Sequence, residues 1–109
     1  MAAARGARVT ATDWASDAVE LLRCNAARNG VRLSVEQRNW RDPWPAQFDL
    51  ALAADVLYER RNVDPLVERL RALAASSLVG LAGRPYETAF LDAWPGTRED
   101  VAERVVLLT

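Results

Sequence analysis

The run Phe48-Asp-Leu-Ala-Leu-Ala-Ala-Asp-Val-Leu-Tyr-Glu59 constrains the fold of this chain most. Asp49–Ala53 has the near-continuous apolar character of a strand in a buried parallel sheet. An acidic residue, Asp55, and an aromatic one, Tyr58, follow just where the strand should end. Open α/β sheets bind ligands outside the carboxyl ends of their strands. The segment therefore points to a site at that edge.

The rest of the chain supplies the alternation such a sheet needs. Met1–Arg5 favours a helix, with Gly6 as its terminator. Val9, Thr10 and Thr12 make Arg8–Thr12 a strand. Ser16 or Asp17 then caps a helix whose apolar positions are Ala18, Val19, Leu21, Leu22 and Ala26. Asn29-Gly30 stops it. Val31, Leu33 and Val35 alternate with polar residues in a half-buried strand. The segment from Asn39 to Gln47, with two Pro and two Trp, reads as a loop.

Beyond the central strand, Asp64-Pro65 places a cap residue before a proline at the first helical position. The stripe Leu66, Val67, Leu70 and Leu73 continues that helix. Leu78–Leu81 is a weak strand, and Tyr86, Phe90 and Trp94 recur four apart on a helix ending at Pro95-Gly96. Arg104–Leu108 is a last strand. The order implies one α/β domain over residues 1–109 with a mainly parallel sheet.

Composition excludes several chemistries. The chain has no His, so imidazole acid–base catalysis is absent. Cys24 is the lone cysteine, which removes internal disulfides and Cys/His metal clusters. Beside Leu21 and Leu22 it reads as an inert buried thiol. A net charge of −1, from 14 Arg and 15 acidic residues, argues against nucleic acid as a partner. No apolar run is long enough for a membrane span, and no secretion signal is seen at the N-terminus. A cytoplasmic protein is the expectation.

Two more constellations carry chemistry. Asp13 ends a strand and precedes a helix, where a carboxylate can accept both hydrogen bonds of a ribose diol or simply cap the helix. Trp14 beside it suits stacking on adenine or covering the sheet. Asn39-Trp40 offers an amide for an adenine edge and an indole for its face, with a loop pinned by Trp40 and Trp44 as the plainer reading.

Taken together, Thr10-Ala-Thr-Asp-Trp14, Ala18-Val-Glu-Leu-Leu22 with Asn25 and Asn29, Asn39-Trp40, and the run from Phe48 to Glu59 resemble class I S-adenosylmethionine-dependent methyltransferases. The resemblance spans about residues 1–94. It is closest to the seven-strand group of protein-lysine methyltransferases and their bacterial nicotinamide N-methylase-like relatives.

It implies a Rossmann-like sheet with helices on both faces. It also implies S-adenosylmethionine as cofactor and a protein lysine or small amine as acceptor. Asp13 would bind the cofactor ribose and Trp14 would flank the adenine. Asn39, where many relatives have Asp, and Trp40 would meet that base. Ala53 and Ala54 would run past the cofactor, with Asp55 and Tyr58 facing the transfer centre. Arg84-Pro85-Tyr86 is similar to the family's segment after the fifth strand. A methyl transfer asks mainly for alignment and for stabilisation of positive charge, so the lack of His is no objection.

One family feature is missing. The glycines are Gly6, Gly30, Gly80, Gly83 and Gly96, so no Gly-x-Gly occurs. The resemblance places that glycine loop, and the central strand before it, upstream of Asp13. Loss of the strand would strip partners from both neighbours, at roughly 1–3 kcal/mol for each buried group left unpaired.

The expectation is thus an N-terminally truncated domain, inactive as written, with self-association through open sheet edges as a possible outcome. A non-catalytic interaction module and an NAD-binding oxidoreductase fragment are the alternatives.

Overall fold

The computed structural model describes all residues except Met1 and Pro45. Its strands form two sheets, and the chain divides into two compact units, Met1–Asp42 and Pro43–Thr109.

In the first unit, a 3-10 turn over Ala3–Arg5 closes on Gly6, which takes the left-handed conformation at φ 93°. Strand β1 (Thr10–Asp13) and strand β2 (Ser34–Gln37) pair in parallel, from Thr10 opposite Ser34 to Asp13 opposite Gln37. Helix α1 (Ser16–Arg28) makes the crossover and packs on both strands. It ends in a Schellman motif: Gly30 N–H donates to Ala27 O and Val31 N–H to Ala26 O, at 3.2 and 3.0 Å. Gly30 at φ 63° is what this turn requires.

The start of α1 differs from expectation. Ser16 and Asp17 lie inside the helix, and the flanking residue is Ala15. Ala15 N–H donates instead to Asp13 Oδ1 at 2.9 Å, so the carboxylate shapes the entry from two residues upstream. Cys24 is exposed, which corrects the buried reading. Only Val19 is buried on α1. Five residues further on, at about 100° per residue, Cys24 lies about 140° away from that inward position. Its neighbours in sequence were the wrong guide; Leu21 beside it is exposed as well.

The second unit holds strand β3 (Ala51–Ala54), helix α2 (Val63–Leu73), strand β4 (Ser77–Gly80), helix α3 (Glu87–Ala93), strand β5 (Arg98–Ala102) and strand β6 (Val105–Leu108). The strand order is β3-β4-β6-β5. β3 and β4 are parallel, joined through α2, while β6 is antiparallel to both β4 and β5. The core gathers Leu66, Leu70 and Leu73 of α2, Phe90 of α3, Val79, Val106 and Leu108 of the sheet, and Leu57. Phe90 and Trp94 also meet, with ring centroids 6.3 Å apart.

Three features depart from the sequence reading. β3 is an end strand and Leu52 is 62% exposed, so it is not covered on both faces as its composition suggested. α2 begins at Val63, because a 3-10 turn over Arg60–Asn62 runs directly into it. Asp64 and Pro65 therefore fall in its first turn rather than at cap and first position. Pro is tolerated there because amides in the first turn have no intrahelical acceptor. β5 was not anticipated. Its Arg98, Glu99 and Asp100 are consecutive charges with no apolar alternation, and all five of its residues are exposed. Its pairing with β6 defines it as a strand, not a burial pattern.

Candidate functional site

The sequence-derived residues fall into two groups, one in each unit. In the first unit, the parallel register brings the carboxyl ends of β1 and β2 side by side. Asp13 is the last residue of β1, and Asn39 and Trp40 follow β2 by two and three positions. Two bonds tie the edges together: Arg38 N–H donates to Asp13 O at 3.0 Å, and the Gln37 amide donates to Trp14 O at 3.0 Å.

Asp13 is half-buried, with Oδ1 accepting from Ala15 N–H, and Trp14 is 60% exposed. The Trp14 indole thus stands at the surface, next in sequence to the Asp13 carboxylate. The Asn39 side chain is tied into its own turn. Its Oδ1 accepts from Arg41 N–H at 3.1 Å, while Asn39 N–H donates to Asp42 Oδ2 at 2.8 Å. Asp42 N–H closes the turn on Asn39 O at 3.1 Å. The Asn39–Asp42 turn is thus fixed by its own polar groups, and it presents exposed Asn39 beside half-buried Trp40.

In the second unit, β3 ends with Ala53 buried and Ala54 exposed. Asp55 follows in the left-handed region at φ 50°, uncommon for a residue with a side chain. Its N–H still reaches Gly80 O at 3.3 Å, so the turn leaves directly from the β3–β4 ladder. A Cβ on Gly80 would lie 3.4 Å from the Ala54 methyl, an ordinary van der Waals contact across the ladder. Leu57 anchors the same turn in the core at 2% exposure, while Tyr58 stays 44% exposed.

The partner of Asp55 is Arg84, a pairing not anticipated from the sequence. Arg84 Nε donates to Oδ1 at 2.8 Å and Nη2 to Oδ2 at 2.9 Å, a two-pronged contact between groups 29 positions apart. These bonds and the guanidinium charge hold the Asp55 carboxyl below its ordinary value, partly offset by desolvation. The same contact raises Arg84, with Glu87 adding to it. Glu87 was also missed. Its buried carboxylate accepts from Ala82 N–H at 2.7 Å and Gly83 N–H at 2.9 Å, which locks the turn bearing Arg84. An acidic residue at the start of a helix, after a glycine and a proline, was the available signal.

A carboxyl titrating low in the fold favours the folded state above its unfolded value, and that contribution is lost as pH falls through the folded value. NMR titration of the Asp55 carboxyl carbon is expected to give a midpoint below the usual carboxylate range. Arg84→Met should return it there. An unchanged midpoint in the variant would contradict the pairing.

The lysine methyltransferase family model matches residues 1–92, most of the chain and both groups of site residues. The chain belongs to this family. Membership implies S-adenosylmethionine-dependent methyl transfer in general. The fold agrees: the crystal structure of a "putative Methyltransferase" from Pseudomonas syringae superposes with a TM-score of 0.61. That match covers 92% of this chain and 70% of the other at 17% identity. No curated protein matches the sequence. Among the described residues, no helix is long and apolar enough to cross a membrane, and no cluster of His, Cys, Asp or Glu is suited to a metal ion.

Proposed function

We propose that this family member uses the β1–β2 edge for the adenosine half of S-adenosylmethionine and Asp55 for an amine acceptor, either a protein lysine or a small amine. The donor set suits adenosine. Asp13 keeps one carboxylate oxygen beyond its bond to Ala15. Trp14 and Trp40 supply the aromatic residues and Asn39 the amide that this reading calls for. When bound, the cofactor supplies a methyl group already activated on a sulfonium. Asp13 then holds the ribose and Asp55 attracts positive charge at the acceptor. Tyr58, on the same turn, lines the acceptor side.

The observation that supports this reading is the parallel register that ends with Asp13 opposite Gln37, with Trp14 just past β1 and Asn39-Trp40 just past β2. The methionyl half lacks a Gly-x-Gly turn within these 109 residues. Turnover by this chain alone is accordingly expected to be negligible.

A nucleoside comparison tests the ribose assignment. Adenosine is expected to bind the 109-residue chain more tightly than 2′-deoxyadenosine, by about tenfold for a charge-assisted bond to the missing hydroxyl. Asp13→Ala should remove that preference. Equal binding of the two nucleosides to the unsubstituted chain would contradict the assignment.

A second reading, an interaction module, draws on β3. This end strand carries no charge and exposes Leu52, unlike the charged edge at β5. Native sheets usually guard such edges. Self-association abolished by Leu52→Lys in sedimentation would favour this reading.

A further inference from the structure

Asp55 already has a cation seated on it. We propose that Arg84 is a displaceable occupant of the acceptor position, its guanidinium resting on the Asp55 carboxylate until a protonated primary amine takes that place. The inference rests on the reading of Asp55 as the acceptor-facing residue.

Three observations lead there. Both carboxylate oxygens are engaged by one guanidinium, at 2.8 and 2.9 Å, so an incoming ammonium competes with it for the same negative charge. Both side chains are nearly half exposed, so water screens the pair and it opens at little cost. The segments under the two groups are held independently of the pair. Asp55 leaves the sheet edge with its N–H on Gly80 O. Arg84 sits on a turn that Glu87 fixes through Ala82 and Gly83, with Gly83 at φ 82°. The guanidinium can therefore swing away without unmaking either support.

A tethered competitor also sets a threshold that every acceptor must overcome. Arg84 meets Asp55 at an effective concentration of about millimolar or more, as expected for a short link. A small free amine has only its ammonium with which to compete. A lysine within a protein brings further contacts from its flanking residues. Arg84 thus raises the dissociation constant of every amine by the same factor, and a protein lysine, with its further contacts, retains the tighter binding.

The experiment follows the Asp55 carboxyl carbon and Arg84 Nε–H by NMR in the 109-residue chain, at constant ionic strength and without methyl donor. The probe is N-acetyl-lysine methylamide, with N-acetyl-norleucine methylamide as its uncharged counterpart. In the unsubstituted chain, both signals are expected to move with one midpoint as the lysine amide is added. The norleucine amide should move neither. Arg84→Met should tighten lysine-amide binding about two- to fivefold, the range expected for removing an exposed ion pair. Arg84→Lys, which keeps the charge but not the two-pronged geometry, should fall between.

Equal binding to the unsubstituted chain and Arg84→Met would overturn the proposal. So would different midpoints for the two signals, a measurement that needs no variant. Because no methyl donor is present, the outcome is separate from the methyl-transfer reading. A chain that exchanges Arg84 for an amine but never binds adenosine would refute that reading and leave this one standing.

Discussion

Phe90→Ala is expected to cost about 3–5 kcal/mol, the usual range for emptying a buried aromatic site. Phe90 is fully buried on α3, among the largest side chains of the second unit's core, and its ring meets that of Trp94. Truncation forfeits the burial of the ring and leaves a cavity the surrounding side chains can fill only in part. Domains of this size are stable by only about 5–15 kcal/mol, so the loss takes a large share of the total. Urea unfolding followed by Trp fluorescence should show a lower midpoint with an unchanged slope. An unfolding free energy within about 0.5 kcal/mol of the parent's, as for an ordinary surface substitution, would contradict the packing.

Gly96→Val should cost about 1–3 kcal/mol through overpacking. The reason is contact, not backbone freedom. A Cβ at Gly96 would lie 1.9 Å from the Thr109 carbonyl oxygen and 3.0 Å from Trp94 Nε1. That oxygen accepts from Thr97 N–H at 2.9 Å and from the Trp94 indole at 3.3 Å. Making room for a side chain must move Thr109 and break these bonds where β5 and β6 begin to pair. Hydrogen exchange should speed up at Thr97 and Thr109 first, with the Leu78 amide of β4 much less affected. Uniform destabilisation with no local excess at Thr97 would argue against this cause.

How much of this was legible in advance follows from where each signal arises. The helices were readable because their apolar stripes are local: Leu66, Val67, Leu70 and Leu73 mark α2 whatever packs against them. β3 and β4 were placed within a residue or two by their apolar runs. β5 was invisible, since its hydrogen bonds to β6 leave no trace in a charged, fully exposed sequence. The exposure of Leu52 and Cys24 was likewise hidden, because composition reports how apolar a segment is and not which side is covered.

The same distinction applies to the site. Asp13, Trp14, Asn39 and Trp40 stood out as candidates because each ends or follows a strand, and β1 and β2 pair in parallel up to Asp13 opposite Gln37. Asp55 and Tyr58 stood out as candidates from the end of an apolar run. The contact between Asp55 and Arg84 joins positions 29 apart and depends on β3 and β4 being neighbours. Glu87 serves a turn that forms only once Gly83 takes its positive φ. Both were beyond a reading based on local pattern.

The most direct test of the central claim is an NMR titration of the 109-residue chain with S-adenosylmethionine, following the indole N–H signals of Trp14 and Trp40 and the side-chain amide of Asn39. All three are expected to shift together, with a dissociation constant well above micromolar, and Asp13→Ala should weaken the response. Signals that stay in place at millimolar cofactor would contradict the adenosine edge. Micromolar binding would contradict the expectation that these 109 residues grip the adenosine half alone.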